Sequence, residues 1–282
     1  IYVFLSTIYV SLSLIIYKNN VSLFYDYGKN YLIGNKFDVS YITYISFILL
    51  FVFFKNTKKN NLACRLITAA YYLFSLIVAF QVGCSTMIIG NILTILLYFI
   101  RDKILREEKN IIITIFISTI FLFVFSKFLN ISFVNDFITN VLKKDSTLTG
   151  RTVIYSYVFK IILQNVFFGV GYGNSYTTFV NTMGAANAQN AILDWVVQIG
   201  IFGTLFLLII VKLIFKNIKM ENIKKIKPII VAIYVFSILG MVEITFNMYF
   251  FTLLAIINYG YRLKKKEDKK NERKIINKEC YI

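Results

Sequence analysis

Apolar residues along this chain fall in long, almost unbroken blocks separated by short polar stretches. Short segments of alternating apolar and polar residues, the mark of a membrane β-barrel, are not the pattern here. A helix is the open-ended element that satisfies its own backbone inside lipid, and a span needs roughly 17–25 residues. Eight blocks meet or approach that length: 1–17, 39–54, 62–80, 85–100, 110–128, 190–211, 228–242 and 246–261. The expected fold is an all-α, multi-pass helical membrane bundle with one large outer loop. The chain divides into a transmembrane bundle over 1–129, the loop over 130–189, further transmembrane helices over 190–261 and a basic tail over 262–282.

Composition supports this reading: 58% of the 282 residues are hydrophobic, mean hydropathy is +0.68, and there is one proline. The net charge of +17 would, in a soluble chain, point to nucleic acid. Here the charges sit in short loops between apolar blocks, where the positive-inside rule accounts for them. Segments 55–61, 101–109, 212–227 and the tail from Arg262, with Arg65, hold 23 of the 31 Lys and Arg. The other eight are Lys18, Lys29, Lys36, Lys127, Lys143, Lys144, Arg151 and Lys160. The excess marks the cytoplasmic side. Strict alternation of eight spans gives the same sidedness, with both ends of the chain cytoplasmic in a bacterial inner membrane. The run from Lys264 to Lys274 reads as a solvated tail beside anionic lipid, and nothing supports a nucleic-acid partner. Cys64, Cys84 and Cys280 form neither a metal spacing nor a disulfide framework, and histidine is absent; no metal site and no cofactor is expected. The sequence opens on Ile1 within an apolar run, so further spans are expected before it. The alternative, a signal segment over 1–17, lacks a basic start and a small-residue cleavage site.

The segment from Asn130 to Gln189 is too long for a plain connection. Within it, Val153, Ile154, Tyr157, Val158, Ile161 and Ile162 recur at helical spacing, predicting an amphipathic helix over 152–164. That helix either lies on the outer face of the bilayer or packs on the tops of the spans.

Candidate chemistry clusters around this segment. Arg151 stands just before the predicted helix, where free N–H groups favour an anion; it suits a phosphate or pyrophosphate, or pairs with Asp145 in solvent. Gly169, Gly171 and Gly173 make a turn able to bend sharply or approach a ligand closely, or simply a flexible connection. Asn190, Asp194 and Gln198 lie on one face at the start of the sixth span. They face either a polar cavity or a neighbouring helix that they bind. Gly200 and Gly203 beneath them suit close helix packing. Glu243, at the outer end of the seventh span, is a candidate acid or base when buried and a hydrated interface carboxylate when not.

As an ordered set, Leu148-Thr149-Gly150-Arg151, Gly169-Val170-Gly171-Tyr172-Gly173, Ala188-Gln189-Asn190 and Gly200-Ile201-Phe202-Gly203 resemble the O-antigen ligase and polymerase superfamily, the Wzy-type polysaccharide polymerases and their relatives. The likeness covers about Leu148 to Phe215. Two positions depart from the family pattern. Gln189 stands where the family has histidine, and Thr86 where members often carry arginine, in the stretch Gly83-Cys84-Ser85-Thr86. The resemblance implies a metal-independent glycosyltransferase of surface polysaccharide (O-antigen, capsule or exopolysaccharide). Its donor would be an undecaprenyl-pyrophosphate-linked oligosaccharide at the outer membrane face, with a flippase and a chain-length regulator as possible partners.

The expectation is then a repeat-unit polymerase in which Arg151 neutralises the leaving pyrophosphate. The glycine turn shapes the donor site, Gln189 and Asn190 bind sugar or phosphate, and Asp194 or Glu243 deprotonates the acceptor. Alternatives are a ligase that transfers glycan to another acceptor, a transporter or flippase, and a membrane protein without catalysis. A transporter normally shows inverted repeats and broken helices at the midplane; the sequence has no such repeat and few midspan Gly or Pro residues.

Overall fold

A computed structural model of the protein describes residues 1–16, 31–57, 62–128 and 148–261, with the side chains of 122–128 and 148–153 outside that description. Among the described residues the chain is helical, apart from an isolated bridge between Tyr31 and Gly34. Eleven helices follow one another among the described residues: α1 (Tyr2–Ile16), α2 (Lys36–Asn56), α3 (Leu62–Gln81), α4 (Ser85–Tyr98), α5 (Asp102–Arg106), α6 (Glu108–Phe128), α7 (Leu148–Gln164), α8 (Ser175–Met183), α9 (Ala191–Lys216), α10 (Met220–Leu239) and α11 (Met248–Tyr261). Each of the eight apolar blocks contains a helix among the described residues. Helices α2, α3 and α9 are long and apolar enough to cross a membrane, while α1, α4 and α11 are apolar but shorter. The basic tail and residues 130–147 of the expected outer loop lie outside the described residues.

Local signals set the helix starts. Asn35 caps α2 by accepting from the N–H groups of Phe37 and Asp38, and the Asp38 carboxylate accepts from the Asn35 N–H in return. This capping box begins α2 three residues before the expected span. Helix α10 also starts earlier than expected, at Met220, and ends at Leu239.

Helix α10 is the axis of the bundle. Every residue from Ile229 to Phe236 is buried, as befits a helix that is apolar all round. Helices α2, α4, α5 and α6 pack around it. Phe236 meets the rings of Tyr41 and Tyr44 edge-on at 5.3 and 5.8 Å. Several polar groups inside the bundle are paired across helices: Ser6 with Ser46 at 2.6 Å, Tyr44 with Thr94 at 2.7 Å, and Ser118 donating to the Ser237 carbonyl at 2.9 Å. Such bonds hold helices together where surrounding lipid offers no hydrophobic drive. The outer faces carry exposed large apolar side chains, among them Phe80, Leu96, Ile117 and Phe206, far more than a soluble monomer presents.

One end of the bundle gathers the basic connections. Lys227 pairs with Asp102 at 2.7 Å and donates to the Ile100 carbonyl. Arg106 donates to the Ile218 carbonyl, Asn56 to the Lys225 carbonyl, and Lys55 to the Tyr98 hydroxyl. The opposite end carries the Asn35 cap, the turn between α3 and α4, the segment 165–190 and the turn between α10 and α11.

The predicted amphipathic helix is α7, and of its two expected placements the packed one holds. Tyr155, Val158 and Ile161 are buried in a second, smaller core with Phe179, Ala188, Leu193 and Val197. Because α7 begins at Leu148, Arg151 belongs to its first turn instead of preceding it. Helix α8 was not expected from the sequence; it contributes Phe179 to this second core and ends at Gly184 in the left-handed conformation.

Candidate functional site

Helix α9 is interrupted. Gly200 has φ 69° and ψ −176°, a region open essentially to glycine alone. A break there deprives the N–H groups of Ile201 and Phe202 of their helical acceptors, the carbonyls of Val197 and Gln198. The glycine-rich turn supplies replacements on both sides. The N–H groups of Val170 and Gly171 donate to the Val197 and Gln198 carbonyls at 2.8 and 2.9 Å, and the N–H groups of Ile201 and Phe202 donate to the Val166 and Phe167 carbonyls at 2.9 and 3.4 Å. The expectation of simple close packing at Gly200 is therefore corrected: it is the site of a helix break, and residues 166–171 fill it.

Two glycines make this possible. A Cβ on Gly169 would stand 2.5 Å from the Val197 carbonyl oxygen, and one on Gly200 would collide with the Phe167 carbonyl. Gly171 and Gly173 also have positive φ, but a Cβ on Gly173 meets nothing within 4 Å. Backbone groups freed by a helix break need new partners, and here the turn supplies them. Outside the turn, Phe167 stacks on Phe202 at 5.4 Å and Tyr172 lies 6.0 Å from Trp195, an aromatic grouping of the kind found at membrane–water interfaces.

Ten residues before the break, Asn190 caps the start of α9. Its Oδ1 accepts from the Ile192 and Leu193 N–H groups, and its Nδ2 donates to the Met241 carbonyl at 3.5 Å. The Ala191 N–H donates to the Gly240 carbonyl at 2.8 Å, so the α10–α11 turn is docked on this corner. Asn190 is fully buried, and its contacts are those of a cap. Replacing Asn190 with alanine is expected to lower stability by about 1–2 kcal/mol, read as a lower unfolding midpoint, with Asn190→Asp restoring most of it.

Gln189, just before the cap, is the one non-glycine residue with positive φ (49°) among the described residues. Its N–H donates to the Asn187 side chain at 2.9 Å. Such a conformation costs a residue of this kind about 1–2 kcal/mol, and it fixes where the Gln189 side chain leaves the backbone. Asp194 is 4% exposed. Its carboxylate accepts from Gln198 Nε2 at 2.6 Å and from the Ala188 N–H at 3.4 Å, so it fastens the segment before α9 to the helix.

Glu243 lies on the docked turn, half-buried. Its charge bears on the buried thiol of Cys84, in the α3–α4 turn. That thiol is pushed up chiefly by burial, drawn down by hydrogen bonds at Met87 and Ser40 and by the charge of Lys36, and raised by Glu243. Nearby, the Tyr249 hydroxyl donates to Asp38 Oδ1 at 3.2 Å. The Tyr41 hydroxyl is buried with no hydrogen-bond partner among the described residues. Lys36, Asp38, Tyr41, Cys84 and Tyr249 thus join Glu243 at this end, and sequence reasoning singled out none of them for chemistry. The Asn35-x-x-Asp38 capping pattern was the available signal for Asp38.

The fold therefore unites Gly169, Gly171, Gln189, Asn190 and Asp194 along the first turns of α9, with Glu243 on the turn bound to its cap. Gly173 lies two residues past the inserted backbone. Arg151 is carried by α7, whose buried face rests on Leu193 and Val197; its side chain lies outside the described residues. Comparison with family models, with curated proteins and with solved structures finds no match to this chain.

Proposed function

We propose that the protein is a polymerase of surface-polysaccharide repeat units, acting on undecaprenyl-pyrophosphate-linked glycan at the outer face of the bacterial inner membrane. The basic end of the bundle is cytoplasmic on this reading, as the positive-inside rule requires. The observation that carries the proposal is the pinning of the Gly169–Gly173 turn across the break at Gly200, on the same helix that Gln189 and Asn190 open. The glycine-turn, Gln189-Asn190 and Gly200 segments, which resemble the polymerase pattern as part of an ordered set in sequence, lie together at α9.

In the proposed reaction, an acceptor sugar hydroxyl attacks the anomeric carbon of the donor. A new glycosidic C–O bond forms, the bond from that carbon to the pyrophosphate oxygen breaks, and undecaprenyl pyrophosphate leaves. Arg151, in the first turn of α7, offsets the charge on the leaving group. Glu243, half-buried on the turn docked beside the α9 cap, takes the hydroxyl proton, and Asp194 holds Gln198 and the Ala188 N–H. Asp194 and Asn190 hold Gln189 in place, and Gln189 contacts the substrate.

The broken helix is the observation that favours a transporter, since discontinuous helices build many transport sites. At Gly200, however, the freed backbone groups of Val197, Gln198, Ile201 and Phe202 bond to residues 166–171 of the same chain, which leaves them no role in holding cargo. Purified protein in liposomes, given the lipid-linked repeat unit and EDTA, is expected to release undecaprenyl pyrophosphate in step with glycan linkages. Linkage only after a different acceptor is added would identify the ligase, and intact substrate moved between leaflets would identify a transporter.

A further inference from the structure

At the basic end of the bundle, away from the glycine turn, α2, α3 and α4 enclose a cleft of about 480 Å³. Helices α3 and α4 are tied together near their middles, where Ser75 and Tyr72 donate to Asn91, and the cleft extends from Tyr72 to Arg65 on α3 and from Thr94 to Tyr98 on α4. Its walls are apolar and largely aromatic: Phe47, Phe51 and Phe54 from α2, Tyr72 from α3, and Ile95 and Tyr98 from α4. Lys55 and Arg65 line it at the basic end.

The two cations differ in how they are held. Lys55 Nζ donates to the Tyr98 hydroxyl at 2.8 Å and lies 5.1 Å from the centre of that ring. Lys227, by contrast, is paired with Asp102. Neither Lys55 nor Arg65 has a carboxylate partner among the described residues, and Arg65 is exposed. An aromatic slot with unneutralised cations at one end fits an amphiphile whose apolar chain enters the slot and whose anionic head stays at the rim. The volume falls in the range of small-molecule sites, roughly 300–1,000 Å³, and basic pockets between helices on the cytoplasmic side are suited to anionic head groups.

We infer that this cleft is a binding site for an anionic phospholipid, with an acyl chain between α3 and α4 and the phosphate on Lys55 and Arg65. The site is separate from the proposed transferase site, and its test needs no transferase activity. The protein, carried through detergent, would be mixed with phosphatidylglycerol or with phosphatidylcholine of the same acyl chains. Retained lipid is then counted by native mass spectrometry. Wild type is expected to hold one phosphatidylglycerol at least tenfold more tightly than phosphatidylcholine. Arg65→Gln, which removes no contact seen among the described residues, should reduce that preference several-fold, and Thr68→Trp, which fills the slot, should abolish retention of either lipid. Lys265→Gln with Lys266→Gln, removing two charges from the tail, should change nothing. Equal retention of the two lipids, or an unchanged preference in Arg65→Gln, would overturn the assignment. Retention that survives Thr68→Trp would place the lipid elsewhere, and a cleft occupied by a second copy of the chain would show as a dimer that added lipid does not dissociate.

Discussion

Replacing Gly200 with alanine is expected to disable the protein more severely than any other glycine-to-alanine change among the described residues. The added Cβ would collide with the Phe167 carbonyl, and the backbone there adopts φ 69° and ψ −176°, a conformation that costs a non-glycine residue about 1–3 kcal/mol before any collision is counted. Relief requires the turn over 166–171 to withdraw, and its withdrawal strands the backbone groups of Val197, Gln198, Ile201 and Phe202 inside the protein. The combined loss should reach about 3 kcal/mol or more. Gly173→Ala is the matched control: it has positive φ but open space around the Cβ, so about 1 kcal/mol is expected. Thermal unfolding in detergent reads both. Equal midpoints for the two variants would mean that the turn does not support the break.

The second large effect is expected at Phe179, and it is a local one. Phe179 is fully buried and sits at the centre of the small core that joins α7 and α8 to the first turns of α9. Truncating a buried phenylalanine to alanine costs about 3–5 kcal/mol. This core is separate from the one around α10, so the loss should appear as local opening. Hydrogen exchange should quicken by two orders of magnitude or more in α8 and in residues 184–190, with α2 and α10 unchanged. Uniform acceleration across the bundle would show instead that the two cores unfold as one.

The helical segments were legible because long apolar runs form helices, and each of those runs contains a helix among the described residues; three of these helices, α2, α3 and α9, are long and apolar enough to cross a membrane. Their ends were less legible, since they depend on caps: Asn35 and Asp38 start α2 early, and Asn190 starts α9 by accepting two backbone N–H groups. The importance of Gly200 was visible only as a glycine suited to packing. Its actual role depends on a turn some thirty residues away arriving to complete the backbone bonding, and no local pattern encodes that arrival. The same applies to Asp194. Its spacing with Gln198 brings the two together on one face, but Asn190 stands outside the helix as its cap, and that Ala188 would claim one carboxylate oxygen depends on the left-handed turn at Gln189. Helix α8 escaped notice because it is short and its apolar positions are sparse. Asp38 meets Tyr249, and Lys36 and Glu243 both bear on Cys84, only through tertiary packing, which spacing along the chain does not reveal.

The proposed function is tested most directly in cells that lack the gene and are supplied with either the wild-type protein in full or its Arg151→Ala variant at matched membrane abundance. Surface glycan is then resolved by length on gels. Wild type should restore a ladder of repeat lengths, while Arg151→Ala should leave single repeats, because the leaving pyrophosphate loses its cation. A normal ladder with the variant would remove Arg151 from the chemistry. Glycan indistinguishable between the wild-type and gene-less cells would contradict the polymerase assignment itself.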